Sequence, residues 1–571
     1  MLAMTQQAGT RWQTGRDVEE SYAFAPVAEP FAAVMEPLEP RLLLSTVEFD
    51  TPTKMSYTDA QGSTVVMTLK GGGKGELIFP DIYDGWWKER DVTDNAYPIL
   101  RITGATAGTT ISISVKNKAN KSIKTTTLLG MVIEGDGGMK AVNAGKVNIA
   151  FDIPDDAWTS YTDHAVFGIE NAIGTKITLG DLIDVDMLLG GETATKVTTL
   201  KLGVVENTYI DALRLPLSVT ATRFDPLRDV DGDIIQRCVL DASYFTKIVV
   251  KESFYCHVYT NRSTAVAIES IKVGQVYGGR IWGYDVGDER FIPGGRINSI
   301  TAGSFEWLDV WMDSIGKVTA TGFTVKKEGG YKVKTAGDLH GDLLLAGVNV
   351  TKGHTLGSIK ATGDMSADLR VQKGTIGTIS VGWLFTGEIR VGNQVDEGMY
   401  TESIKSVTVG AFDGWIFASS IGTMTVKGYK DRTGAKVSGD LGDKTGWDGS
   451  MIVLSGHGVL GNVLGSLKLQ GTLFGDLQVY GNMGTISMFD MRHGNIYVDG
   501  RAKSITIRNK ADLSRDGTEN KNYTVSWLGV KSNFRGCIQV LQGTRITVGK
   551  TKILLTDSDT DRYVTGLPEI W

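Results

Sequence analysis

The 571-residue chain reads as an all-β protein: a single-stranded parallel β-helix of the right-handed form, opened by an N-terminal β cap. Three observations predict it. Glycine is abundant, at 71 residues, while proline is scarce, at 12. That balance suits a chain that turns every few residues, because glycine reaches positive φ without steric cost. Next, one strand template recurs: a polar residue, an aliphatic one, then Thr, Ser or Lys, then a small or aliphatic one. It runs from Lys176-Ile177-Thr178-Leu179 through Ser270-Ile271-Lys272-Val273 and Thr378-Ile379-Ser380-Val381 to Arg545-Ile546-Thr547-Val548. Finally, most intervals between copies are 17 to 29 residues, and a few exceed 40.

Alternation with β-branched residues is the strand signal. A hairpin sandwich would place strands about 8–12 residues apart, and a βα solenoid would show helical patterning between them. One strand copy per coil of about 20 residues therefore points to a solenoid whose coils bury a core jointly. The inward residues Ile271, Ile300, Ile359, Ile379, Val407, Ile486 and Ile505 are expected to form one axial stack. The longest intervals read as two steps with one degenerate copy, Met451–Leu454 filling the gap after Thr423. A second motif, Gly-Asp/Glu-aliphatic-x-aliphatic, marks a further strand at Gly387 and Gly475, and Thr375–Gly392 spans close to one whole coil. Roughly twenty coils rising about 4.8 Å each would give a rod on the order of 90–100 Å.

Taken in order, residues 1–45 differ from the rest, with four of the twelve prolines, Pro26, Pro30, Pro37 and Pro40. Glu29, Glu36 and Glu39 interrupt any apolar core, so this is not an ordinary secretory signal. It is expected to be an export segment that adds little to the folded core. Residues 46–118 alternate around Gly71–Glu76 and read as the cap that covers the open end of the helix. Residues 119–556 carry the β-helix, and 557–571 form a C-terminal cap or tail.

Within the first segment, Leu38-Glu39-Pro40-Arg41-Leu42-Leu43-Leu44-Ser45 resembles the LEPR-XLL motif. That motif marks the N-terminal region of large bacterial proteins of the export route. The match covers the defining letters and stands before the first β segment, extending more loosely into Tyr57–Gly62 and Val65–Gly71. The resemblance implies an extracellular or cell-surface address and carries no catalytic residues.

The net charge of −6 and the lack of any basic block argue against a nucleic-acid partner. No run of about 18 apolar residues suggests a transmembrane helix. The three cysteines are too few for a disulfide scaffold and form no zinc pair. Cys238 and Cys256 lie 18 residues apart, near one coil. That register would bring their Cα atoms within the bridging limit of about 7 Å. Buried free thiols are the alternative.

No catalytic motif is present, and the chain is not expected to be an enzyme. The recurrent Gly-Asp at Asp181, Asp338, Asp342, Asp364, Asp440 and Asp476 reads as turn chemistry, the carboxylate capping local backbone N–H groups. The six histidines, His164, His257, His340, His354, His457 and His493, lack ligand spacing. Asp229, Asp231 and Asp233 are weak calcium candidates, as are Asp557, Asp559 and Asp561, though neither run completes a calcium loop. No other cofactor is expected. Trp86 and Trp87 are candidates for an exposed glycan platform. Gly382-Trp383-Leu384-Phe385 and Gly414-Trp415-Ile416-Phe417 read as one packing ladder. The expected function is a non-catalytic structural or interaction rod, with envelope or matrix glycans or further copies of itself as partners. A polysaccharide lyase or hydrolase would instead show converging carboxylates and basic groups in an outer groove. A glycan-binding adhesin would show several Trp side chains along one exposed face.

Overall fold

The computed structural model describes residues 45–508 apart from 49–52, 60, 80–96, 151–164, 192–194, 229–233, 237, 261–265, 284–293, 327–329, 331, 351–352, 394–399, 443–449, 457–458 and 493. Beyond them it describes the short strands 524–525, 530–531, 537–539, 545–548, 551–554 and 564–565. The expected segment 1–45 therefore lies almost wholly outside the described residues. Met1–Leu44 and Ser45–Trp571 are separate units, and every described strand belongs to the second.

Among the described residues every regular element is a strand, and no helix is long and apolar enough to cross a membrane. The strands stack in parallel, in register, as three ladders. The template strands form the first. Its inward column runs Ile248, Ile271, Ile300, Val318, Ile359, Ile379, each directly paired with the next. It continues Val407, Met424, Leu467, Ile486, Ile505, Ile546. All are buried, so the axial stack expected from the template is present. The long intervals, however, are single coils. Thr423 pairs directly with Ser466, and Lys317 with Ser358, across gaps filled by insertions such as the hairpin Tyr429–Lys430 with Lys436–Val437. Met451–Leu454 is not a missing template copy; it belongs to the second ladder, between Trp415–Ala418 and Asp476–Val479.

That second ladder holds the Gly-Asp/Glu strands, with Ile389, Ile416, Ile452, Leu477 and Ile496 stacked inward. The third ladder is built from pieces of two or three residues, and single bridges complete it. It stacks Val205, Phe224, Phe254, Val276, Phe305 and Leu339, then Met365, Phe385, Phe412, Leu441, Leu473 and Met491. Thus Thr375–Gly392 is one coil with three strands: Ile376–Val381, Leu384–Phe385 and Glu388–Val391. The three inward columns form one continuous hydrophobic core from Met55 to Ile546.

Both ends change pairing. Lys54–Thr58, Thr64–Lys70 and Thr110–Lys116 are antiparallel to one another before the first ladder becomes parallel. At the far end, Arg545–Val548 pairs antiparallel with Thr551–Leu554.

The corners hold together through polar side chains. Asp181 Oδ1 accepts the Val204 N–H at 2.8 Å, Asp338 that of Asp364 at 2.9 Å, and Asp364 that of Leu384 at 3.1 Å. Asp440 accepts from Thr472 at 2.7 Å and Asp476 from Asn495 at 3.2 Å. The recurrent Gly-Asp is capping chemistry, as expected, but not local. Each of these five carboxylates reaches the next coil, because parallel stacking places that N–H about 4.8 Å along the axis. Cys238 and Cys256 are free and fully buried.

Candidate functional site

In a strand, side chains on either side of an inward residue face out. Applied to the second ladder, that rule gathers a row of outward side chains from distant parts of the sequence. After the inward residues Val258, Ile281 and Val310 stand Tyr259, Trp282 and Trp311, paired rung to rung. Tyr259 meets Trp282 edge-on with centroids 5.8 Å apart, and Trp282 stacks on Trp311 at 5.1 Å and 19°. That spacing exceeds the thickness of a ring, so the indoles overlap with an offset. Trp311 is 39% exposed.

Charged groups border this row. Before the inward residues stand Arg280, Asp309, Asp342, Asp368 and Glu388 on successive rungs. The Arg280 guanidinium lies 5.3 Å over the Trp282 ring and 3.9 Å from Asp309. Asp368 accepts the Glu388 N–H at 2.9 Å, and Glu388 pairs with Arg390. Leu344 follows Trp311 in the row, then Arg370 and Arg390, which are direct register partners, and Arg390 lies 5.6 Å over the Phe417 ring. Trp415, 47% exposed, follows Glu388 in the charged column and meets Phe417 edge-on.

Towards the N-terminus the same face turns acidic. Asp211 pairs across adjacent rungs with Asp241, and Tyr209 pairs with Asp186. Burial holds the Asp211 carboxyl above the usual carboxylate range, although the Leu213 N–H donates to it at 3.1 Å. Asp241 is buried at 8% exposure. Burial first, and then the charges of Asp241, Asp211 and Asp186, push the Tyr209 hydroxyl up.

None of the calcium or glycan-platform candidates named from the sequence is among these residues. Trp86 and Trp87, and the calcium candidates Asp229, Asp231 and Asp233, lie outside the described residues, as do Asp557, Asp559 and Asp561. Among the described residues no group of three or more His, Cys, Asp or Glu could hold a metal ion. Trp383 and Trp415 do not share a ladder. Trp383 precedes the third ladder and stacks on Tyr429 at 6.1 Å, whereas Trp415 opens a second-ladder strand opposite Glu388. The true equivalent of Phe385 is Phe412, stacked on it at 5.2 Å. Of the histidines, His340 contacts Ser366, His354 sits 2.7 Å from Thr375 Oγ1, and His257 lies beside Tyr259. His164, His457 and His493 are outside the described residues.

Sequence reasoning missed Tyr259, Trp282 and Trp311 because coil-length intervals separate them. Coil register alone aligns them. No family model, curated protein or solved structure matches the chain.

Proposed function

We propose that the protein is a non-catalytic interaction protein of the bacterial cell surface or matrix, and that it holds a glycan along the outer face of the second ladder. The observation that carries this reading is the in-register row Tyr259, Trp282 and Trp311, with Arg280 at its side. Sugar rings present C–H faces to aromatic rings and hydroxyls to flanking carboxylates and guanidiniums. A face that carries both in neighbouring columns, on rungs about 4.8 Å apart, suits a ligand that itself repeats. The motif resemblance at Leu38–Ser45 supports the surface address. The test is a glycan array with the wild-type chain and a Trp282→Ala/Trp311→Ala variant. Glycan binding that the variant loses is expected. Wild-type binding of an uncharged glycan that survives in the variant contradicts the reading, and so does a wild type that binds no uncharged glycan.

One observation favours a second reading, a polysaccharide hydrolase. Asp211 and Asp241 face each other on adjacent rungs of the same face, and burial raises the first. A pair of carboxyl groups, one of them held above the usual range, is what acid–base cleavage of a glycosidic bond requires. Release of reducing ends that disappears in Asp211→Asn and Asp241→Asn would favour it over simple binding.

A further inference from the structure

The outer face of the first ladder has a composition unlike the chain as a whole. Two outward columns flank the inward stack, one position before and one after it, from the rung of Lys176 to that of Thr506. Every residue in both columns is Ser, Thr or Lys, except Val249. The lysines are Lys176, Lys201, Lys247, Lys272, Lys317, Lys360 and Lys468. All are exposed, and none takes part in an ion pair among the described residues. Neither column holds an acidic residue, although the chain carries a net charge of −6. Glu269 shares a strand with Lys272 but stands outside both columns, where Tyr244 hydrogen-bonds to it.

The spacing is regular. Lys176 and Lys201 lie on adjacent rungs, one in each column, and the next rung, Ser218 with Thr220, has no charge. Lys247 and Lys272 repeat the diagonal, followed by the uncharged rung of Ser299 and Thr301. Lys317 and Lys360 repeat it again. Three rungs make about 14 Å, so from Lys176 to Lys360 cations return along the axis at a fixed step; the rungs of Thr378, Ser406 and Thr423 then carry none before Lys468. Gaps between the cations from Lys176 to Lys360 stay near a Debye length of about 8–10 Å. Unpaired like charges held on one face repel one another, and a bound polyanion relieves that cost.

We propose that this face is a docking strip for a linear acidic polysaccharide of the polyuronate class. Lysines supply point charges for the carboxylates. The intervening hydroxyls both donate and accept, as sugar hydroxyls require. The columns contain no aromatic ring and no arginine, the groups on which single-stranded nucleic acid stacks. A second copy carries its own acidic column, Asp309, Asp342, Asp368 and Glu388, and the self-association measurement separates that occupant from the polysaccharide. The strip is independent of the aromatic face of the second ladder.

The test measures binding of polygalacturonate to the full chain at low ionic strength, with dextran and single-stranded DNA as comparison polymers. The variant Lys247→Gln/Lys272→Gln/Lys317→Gln/Lys360→Gln changes only exposed side chains, and circular dichroism verifies its fold. Polygalacturonate should bind, dextran should not, and the variant should lose roughly tenfold or more in affinity with a shallower salt dependence. The Trp282→Ala/Trp311→Ala variant should bind polygalacturonate as wild type does, which separates this strip from the other face. No binding by wild type, or undiminished binding by the lysine variant, overturns the proposal. Equal or tighter binding of DNA overturns the polysaccharide class. Salt-sensitive self-association that the lysine variant abolishes, without polygalacturonate binding, assigns the strip to a second copy instead.

Discussion

Replacing Asp364 tests whether the recurrent Gly-Asp step ties neighbouring coils together. Its own N–H donates to Asp338 Oδ1 at 2.9 Å, and its Oδ1 accepts the Leu384 N–H at 3.1 Å. The side chain thus bridges to the next coil, 20 residues later. Alanine keeps the first bond, which uses backbone, and deletes the second. A hydrogen bond to a charged acceptor contributes about 1.5–3 kcal/mol, and Leu384 is only half-buried, so water replaces part of it. Asp364→Ala should therefore cost about 1–2 kcal/mol, while Asp364→Asn, which keeps an acceptor, should cost less than about 1 kcal/mol. Urea unfolding followed by far-UV circular dichroism gives the totals, and hydrogen exchange at Leu384 gives the location. Because each coil contacts only its neighbours, exchange should quicken there and not at the distant rung of Leu189. If both variants match wild type and the Leu384 amide exchanges unchanged, the carboxylate is not holding the coils.

Burial and charge set three further outcomes. Phe385→Ala removes a fully buried ring stacked on Phe412 and should cost about 3–5 kcal/mol in urea unfolding; a loss below about 1 kcal/mol contradicts the third-ladder stack. Glu206 is raised above the ordinary glutamate range by burial first, then by Asp184 and Asp225. A raised carboxyl favours the fold below its unfolded pKa and loses that contribution as pH rises through the folded value. Glu206→Gln should therefore melt higher than wild type at neutral pH, with the gap closing on acidification; a constant gap refutes the assignment. Burial pushes the Cys238 thiol up to about 12 and that of Cys256 well above its usual value. In a Cys537→Ser background the native protein should resist Ellman's reagent at mildly alkaline pH and react at two thiols once denatured; rapid native reaction would contradict their burial.

The first ladder was legible because its inward residues, such as Ile300 and Ile379, are β-branched and sit in a repeated frame. The second was partly legible through Gly387 and Gly475. The third escaped, since two-residue strands such as Leu384–Phe385 leave no alternation to read. Met451–Leu454 was misplaced because an apolar strand motif says nothing of which face it occupies, and insertions hid the long coils. Trp383 and Trp415 share a local pattern yet stand at different corners of the coil, so likeness of sequence did not mean likeness of register. Both candidate surfaces were invisible for one physical reason. Their residues recur once per coil at uneven intervals, and neither Trp282 with Trp311 nor Lys317 with Lys360 forms a patch until pairing brings the rungs together. Net charge concealed the lysine strip in the same way.

Both surfaces depend on rung register, which a cross-link across the longest coil tests most directly. Thr423 and Ser466 are register partners although they stand 43 positions apart in the sequence. Parallel neighbours lie about 4.8 Å apart, and a disulfide spans Cα separations of about 4.4–6.8 Å. In a Cys537→Ser background, Thr423→Cys/Ser466→Cys should oxidise readily in the native state, and Thr423→Cys/Met451→Cys should not. The reverse pattern, with residue 451 linking and residue 466 silent, would place Met451–Leu454 in the first ladder and break the register on which both faces depend.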